Sequence, residues 1–360
     1  MAFQKPIRIT DGVLALSDKK QAAYATILAD EVLQAGKRFP LKAPIYGQQD
    51  RKFGTDRGYA FGATGYSSER WETERDVADT LQMMGDPYLI AWALAFCMGK
   101  VTSTQPNLAL NPTAWQHVIK PLDPSADGLD VPVTTIFVGL GEAANLARRI
   151  KSLAISSVAI GFAPGDMIDV AAQFTGSGEI VSGALAQAPA LSRILRLMAN
   201  DAKLEYGPQG ALVDISSEII GGSLKWSVSN KPDEEHARVP GGGMYRSRAW
   251  VDQFDFTLEF QRLVDSTSSA PLDDHLDETV IEAYKITVPG PQIGVGPEKH
   301  SLVIEGKACK AEAVKLQTSG NKVIYEYSIT PDHHFKEGAN DVCTATVINT
   351  QESYLTAPAA

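Results

Sequence analysis

The chain has 360 residues, 44% of them hydrophobic, with 30 glycines and a formal net charge of −10. This length and composition supply a buried core in one large or two ordinary domains and exclude an intrinsically disordered chain. The acidic balance excludes a phosphate-gripping surface, which needs clustered Lys and Arg, and suits a surface past which DNA slides without sticking. Cys97, Cys309 and Cys343 are odd in number and lack CxxC spacing, so neither a disulfide framework nor a zinc site follows. Met1 to Pro6 carries no apolar signal region, and the longest apolar run, Tyr88 to Met98, is shorter than the about 20 residues that cross a bilayer. The expectation is a cytoplasmically made, soluble protein that inserts no segment into a membrane.

In chain order, Ser17 is placed to cap a helix from Asp18 to about Ala35, with Gly36 past its end and Ala22, Ile27, Leu28 and Val32 on its apolar face. The segment from Phe39 to Ser68 is rich in Gly, Tyr and Arg and reads as a long loop or arm. Its Tyr46, Phe53, Arg57, Tyr59, Phe61 and Tyr66 could stack on bases, but Asp50, Asp56 and Glu69 dilute the charge. A wrapped loop is the plainest reading of those residues, and a partner-docking arm the next. Asp86-Pro87 announces a helix closing at Gly99, apolar nearly all round through Tyr88, Leu89, Trp92, Leu94, Ala95, Phe96 and Met98; it should plug a sheet.

From Thr113 onward strand signals dominate. Ala114–Ile119 and Val131–Val138 precede a long hairpin over Arg148–Gly178, turned at Ala163-Pro164-Gly165-Asp166. After the turn Ile168, Val170, Ala172 and Phe174 share one face, with Asp169, Ala171, Gln173 and Thr175 on the other. Before it, Leu153 and Ile155 hold one phase and Val158, Ile160 and Phe162 the opposite one, so Ser156-Ser157 is where a bulge absorbs the slip. The second face, with Ala154, Ala159, Gly161 and Ala171, is small and poor in charge, unlike a face turned to bulk water. Something packs there, and the stretch by itself favours a second layer of the same chain over another subunit. A short helix is expected over Ala190–Asn200. Leu224, Trp226 and Val228, then Phe254, Phe256, Leu258 and Phe260, alternate with polar residues as half-buried antiparallel strands. Between them Asn230–Ser247 reads as a long exposed loop. Ser266–Pro271 is a candidate boundary before the strands Thr279–Val288, Leu302–Gly306, Val323–Ile329 and Val342–Val347, and the end from Thr356 should fray.

The hairpin, with its Pro-Gly-Asp turn and closing Phe174-Thr-Gly-Ser-Gly-Glu179, resembles the central hairpin of long-tailed bacteriophage tail tube (major tail) proteins. The likeness extends to Gly222–Asn230, to Phe254–Phe260 and to the strands Leu302–Gly306 and Val323–Ile329. It implies a structural virion protein, not an enzyme, whose subunits form stacked, usually hexameric rings around a β-lined channel. The channel would house the tape-measure protein and later conduct DNA without binding it specifically. Tail terminator and tail-tip proteins would be further partners, and the virion tail the location. In that setting Ala154, Ala159, Gly161, Asp166, Asp169, Ala171 and Gln173 would meet neighbours or the lumen, and the arm with Tyr46, Phe53, Arg57, Tyr59, Phe61 and Tyr66 would reach the next ring.

The expected architecture is mainly β: an antiparallel sandwich or partial barrel with one buried helix, a long N-terminal arm and long loops. The expected division is an arm, loop and helix over 1–100, a tube-like core over 101–265, strands completing that core or forming a small module over 266–350, and a frayed tail over 351–360. The chain exceeds the smaller family members in length, which fits either an added C-terminal domain or a component nearer the tail tip.

Other chemistries lack context. Gly139–Ala144 has the G-x-G-x-x-A spacing of a dinucleotide loop, but hairpins follow it instead of βαβ units, so turn glycines between antiparallel strands are expected. Asp273–Glu278 is acidic without the spacing of a calcium loop. His333 and His334 are adjacent and on a strand would face opposite ways, and His117 beside Trp115 reads as core or interface. No G-x-S-x-G, HExxH or P-loop occurs, so no catalytic, cofactor or metal residue is expected. The rival reading is a monomeric β-sandwich binding module for a saccharide or protein ligand.

Overall fold

The computed structural model describes residues 12–24, 26–39, 42–43, 45, 49–56, 69–123, 125–140, 147–187, 189–264, 281–331, 336–337 and 340–358. Extended segments dominate them, as alternating apolar and small polar residues require. In order they are Gly12–Leu16 (β1), Lys37–Arg38 (β2), Asp50–Asp56 (β3), Glu69–Met84 (β4), Gly99–Thr104 (β5), Trp115–Pro121 (β6), Thr134–Leu140 (β7), Arg148–Gly161 (β8), Asp169–Gly176 (β9) and Ile180–Ser182 (β10). There follow Lys203–Pro208 (β11), Val213–Asp214 (β12), Lys225–Ser229 (β13), Asp255–Leu263 (β14), Glu282–Gln292 (β15), Lys299–Ser319 (β16), Lys322–Pro331 (β17), Lys336–Glu337 (β18), Asn340–Asp341 (β19) and Cys343–Asn349 (β20). The α-helices among the described residues are Asp30–Gln34 (α1) and Pro87–Met98 (α2).

Helix α2 organises the rest. Asp86 Oδ1 accepts the Tyr88 N–H at 2.8 Å and the Leu89 N–H at 3.4 Å, Pro87 fills the first turn, and Gly99 ends the helix at φ 90°. A side chain at Gly99 would also meet Leu122 Cγ at 2.5 Å, so position 99 admits only glycine. Every residue from Pro87 to Met98 is buried. Helix α2 contacts β5, β6, β8, β16 and β20, and the Trp92 indole N–H donates to the Ser17 carbonyl at 2.9 Å. Each large side chain so enclosed contributes about 1.5–3 kcal/mol.

Around this plug the antiparallel row β3–β4–β9–β8–β13–β14–β17–β16 runs edge to edge. The first half of β16 leaves β17 and pairs with β15 on one edge and β20 on the other, and β20 leads on to β6 and β5. The sheet thus turns back over α2 as a partial barrel. Its C-terminal strands are continuous with the row through β14–β17 and with α2 through β20. The first half of β8 pairs with β7 and β10, and β7 with β1. β7 and β8 are antiparallel neighbours, as expected for strands flanking turn glycines; residues 141–146 lie outside the described set.

Several expectations are corrected. The helix expected from Asp18 to Ala35 shrinks to α1, because backbone donors of its first half find partners elsewhere: Gln21 N–H donates to Val133 O at 2.8 Å and Leu28 N–H to Thr135 Oγ1 at 3.1 Å. Ala190–Asn200 is an extended strap ending in a 3-10 turn over Ala199–Asp201. Its Leu195 N–H donates to Asp86 Oδ2 at 2.7 Å and its Leu197 N–H to Gly85 O at 2.9 Å, so those two donors are satisfied without helical bonds. Part of the expected loop Phe39–Ser68 is strand β3. The tail does not fray at Thr356, whose carbonyl accepts the Lys20 N–H at 3.1 Å, and Tyr354 is buried. The boundary at 266–271, the acidic run 273–278 and the histidines 333–334 lie outside the described residues.

Candidate functional site

The hairpin β8–β9 sits inside the long row. Val158, Ile160, Val170, Ala172 and Phe174 point to the core, each no more than 1% exposed, and the register slips between Ile155 and Ser157, where the sequence places its bulge. Across the strands the outer face reads Gln82, Ala171, Ala159, Ser227, Thr257 in one register line and Thr80, Gln173, Ser157, Ser229, Asp255 in the next. A third line, Met84, Asp169, Gly161, Lys225, Glu259, Ser328, carries most of the charges, and Asp255 at the end of the second is paired with Lys231. There the Lys42 ammonium meets Asp169 at 2.7 Å, and Lys225 faces Glu259 across the strands. The centre of the face is therefore small and neutral, with compensated charge at its margin.

Of the residues singled out from sequence, Ala159, Asp169 and Gln173 are exposed, Gly161 and Ala171 half-buried, and Asp166 exposed in the turn. Ala154 departs from them. It lies before the bulge, is 6% exposed, and sits among Val131, Arg246 and Trp250, so a layer of its own chain covers it. That is the second layer favoured by the stretch alone, and it reaches Ala154 but not Ala159, Asp169 or Gln173.

Both ends of the row keep an unpaired edge among the described residues. β3 pairs only with β4, and the distal half of β16, Ala313–Ser319, only with β17. The β3–β4 hairpin is what the expected arm becomes where it is described. Phe53 and Trp71 stand 40% and 49% exposed on it; Tyr46, Arg57, Tyr59, Phe61 and Tyr66 lie outside the described residues.

An isolated two-stranded hairpin is marginal in water, and this one is held by charge. Glu72 accepts from Arg51 at 2.7 Å and from Arg75 at 2.5 Å, which pull its carboxyl down to about 2, Arg75 most strongly. Lys52 bonds Glu74 at 2.6 Å. At the hairpin base Asp76 Oδ1 accepts from Arg238 at 2.5 Å and Arg246 at 2.9 Å, and Arg246 also grips Glu234. Arg75 N–H and Arg246 N–H donate to Met244 O and Ser177 O. The loop Asn230–Ser247, expected as a long exposed loop, is thereby pinned across β4. Sequence reading missed Asp76, Arg238 and Arg246; the signal for the hairpin was the opposed Arg51-Lys52 and Glu72, Glu74.

A concavity of about 650 Å³ adjoins the face, lined by Gly222, Lys225, Glu259, Gln261, Lys315 and Glu326 among others. Among the described residues no group of three or more His, Cys, Asp or Glu is placed to hold a metal ion, and no helix is long and apolar enough to cross a membrane. His117 is wholly buried, bonded to Ser103 Oγ at 2.8 Å and Asn349 Oδ1 at 3.1 Å, a core residue. In comparison with known proteins, no family model matches the chain and no curated protein matches it significantly.

Proposed function

We propose that this chain is a structural virion protein whose copies join into stacked rings forming the tube of a phage tail, with DNA passing through unbound. The observation that carries the reading is the outer sheet face around Ala159, Ala171, Gln173, Ser227 and Thr257, small, neutral and uncovered at Ala159 and Gln173. Small neutral side chains offer phosphate no cation to hold, as a DNA conduit requires. The edges of β3 and distal β16 that have no strand partner among the described residues lie at opposite ends of the row, so pairing one copy's edge with the next copy's is head-to-tail and generates a ring when the rotation closes. Rings of six, with tape-measure, terminator and tip proteins as partners, follow from the tail-tube resemblance. The concavity beside the face is lined mainly by charged and small groups, without the exposed ring platform a saccharide module would need.

Negative-stain electron microscopy across a concentration series, with sedimentation in parallel, tests the reading. Rings or hollow tubes are expected. A monomer that stays monomeric at every concentration, and binds a ligand in the concavity, would replace the tube with the binding-module reading.

A further inference from the structure

The strand edges at the two ends of the row match each other in length, direction and face. β3, Asp50–Asp56, is seven residues long, and the distal half of β16, Ala313–Ser319, is the same length. Every neighbouring pair in the eight-strand row β3–β4–β9–β8–β13–β14–β17–β16 is antiparallel, so its first and last strands run in opposite directions. Rotating a copy about an axis along the strands keeps those directions and keeps the core side of the sheet on the same side. The β3 of a copy so rotated meets β16 antiparallel, core side beside core side. Alternation divides the two edges alike. On β3, Arg51 and Phe53 share the side of Arg75 and the buried Val77, and Asp50 and Lys52 the side of Asp76 and Glu74. On β16, Val314 and Leu316 stand beside the buried Tyr327 and Tyr325, and Lys315 and Gln317 take the other side.

We infer that Asp50–Asp56 of one copy pairs antiparallel with Ala313–Ser319 of the next in the register that sets Phe53 opposite Leu316, an assignment that rests on the ring arrangement proposed above. This register pairs both edges over their whole length, from Asp50 opposite Ser319 to Asp56 opposite Ala313. Three complementarities select it. On the core side, Phe53 and Leu316, 40% and 52% exposed, cover one another. On the outer side, Lys315 falls opposite Gly54, whose partner on β4 is Trp71, 49% exposed. With no side chain standing between them, the Lys315 stem crosses Gly54 and brings its ammonium to the indole face. Asp50 falls opposite Ser319, whose partner on β17 is Lys322, so carboxylate and ammonium meet across a small residue. The alternatives are poorer. A one-residue slip sets the core side of one edge against the outer side of the other. A two-residue slip either opposes Lys52 to Lys315, as parallel pairing also does, or parts Phe53 from Leu316.

The test is disulfide trapping in the full-length protein. Phe53→Cys/Leu316→Cys sets two thiols directly opposite across the contact, where strand pairing holds Cα atoms about 4.5–5.5 Å apart, within the reach of a disulfide. The native Cys97, Cys309 and Cys343 are buried. Oxidation with copper–phenanthroline should give a ladder of linked chains on a non-reducing gel that collapses on reduction. Phe53→Cys/Gln317→Cys, with its thiols on opposite sides of the sheet, should stay unlinked. A ladder from Phe53→Cys/Thr318→Cys in place of the first pair would overturn the register. Sedimentation gives a second readout. Phe53→Glu should weaken self-association about 10-fold or more, and Leu316→Lys added to it should restore the contact, a rescue that a folding defect would not show. Association of Phe53→Glu equal to wild type overturns the pairing. Rings or tubes in the electron microscope without the 53–316 link overturn the pairing and leave the tube reading standing. Linked, closed rings that never stack uphold the pairing and sink the tube. A chain that stays monomeric at every concentration overturns both.

Discussion

Asp76→Asn keeps the shape of the side chain and removes the anion that Arg238 and Arg246 share. The three side chains are 17%, 22% and 11% exposed, so the junction is largely shielded from water. Burial pushes the Asp76 carboxyl up, but Arg246 and Arg238 outweigh it and hold it below its ordinary 3.8. Removing one partner of a fully buried pair costs about 3–5 kcal/mol. Here Glu234 still neutralises Arg246 and some water reaches the site, so about 1–3 kcal/mol is the expected loss. The loss is local, because Asp76 joins the hairpin base to the 230–247 loop and not to α2. At about 2 kcal/mol, amide exchange over residues 69–76 and 238–247 should quicken about 30-fold, with α2 unchanged. The stabilisation is present above the unfolded value near 3.8 and vanishes as pH falls through the lower folded value. Exchange rates in Asp76→Asn equal to wild type at pH 7 would refute the latch.

Ala159→Arg should abolish assembly while leaving a folded monomer, since the site is exposed and surface changes shift stability by only about 0.5 kcal/mol; unimpaired assembly seen by sedimentation would remove the sheet face from the proposal. His117 and His300 are held neutral, burial lowering both below their ordinary 6.5. Their contribution is full above 6.5 and falls as pH drops below it, because the unfolded chain then binds more protons. Urea midpoints should therefore decline from pH 7 to pH 5, and a His117→Gln/His300→Gln pair with an undiminished slope would contradict this. Trp92→Ala empties the contact between α2 and Ser17 and should cost about 3–5 kcal/mol; a denaturation loss under 1 kcal/mol would mean α2 is not the plug of the sheet.

What could be read from sequence was what local periodicity and capping decide. The faces of β9 and β13 follow from period two, the slip at Ser156 from opposed phases on either side, and α2 from Asp86, Pro87 and Gly99. The expected helix Asp18–Ala35 survives only as α1 and Ala190–Asn200 not at all, for one reason. Both have helical spacing of apolar residues, but Leu28, Leu195 and Leu197 give their N–H groups to Thr135, Asp86 and Gly85, partners far away in sequence. The second oxygen of Asp86, after capping α2, captures the Leu195 N–H, so one residue makes one expected helix and helps undo another. Strand β3 was hidden because its charges make sense only against β4, and the Asp76 latch because Arg238 and Arg246 lie over 160 residues downstream.

The distribution of charge gives the surface a division of labour. Charged groups crowd the β3–β4 base, where most are matched within the chain: Arg51 and Arg75 on Glu72, Lys52 on Glu74, Arg238 and Arg246 on Asp76. Matched charges fix a hairpin's direction, since they are directional where apolar contact is not, and they add little net field for an approaching copy. The sheet centre carries no charge to be left unpaired on burial, and there contact can be made without desolvating an ion. If copies pack against one another as proposed, this segregation lets them meet without stranding an ion. If added salt strengthened self-association through the neutral surfaces by screening the net charge, while loosening the Asp76 junction, the two classes of surface would be separated in one titration.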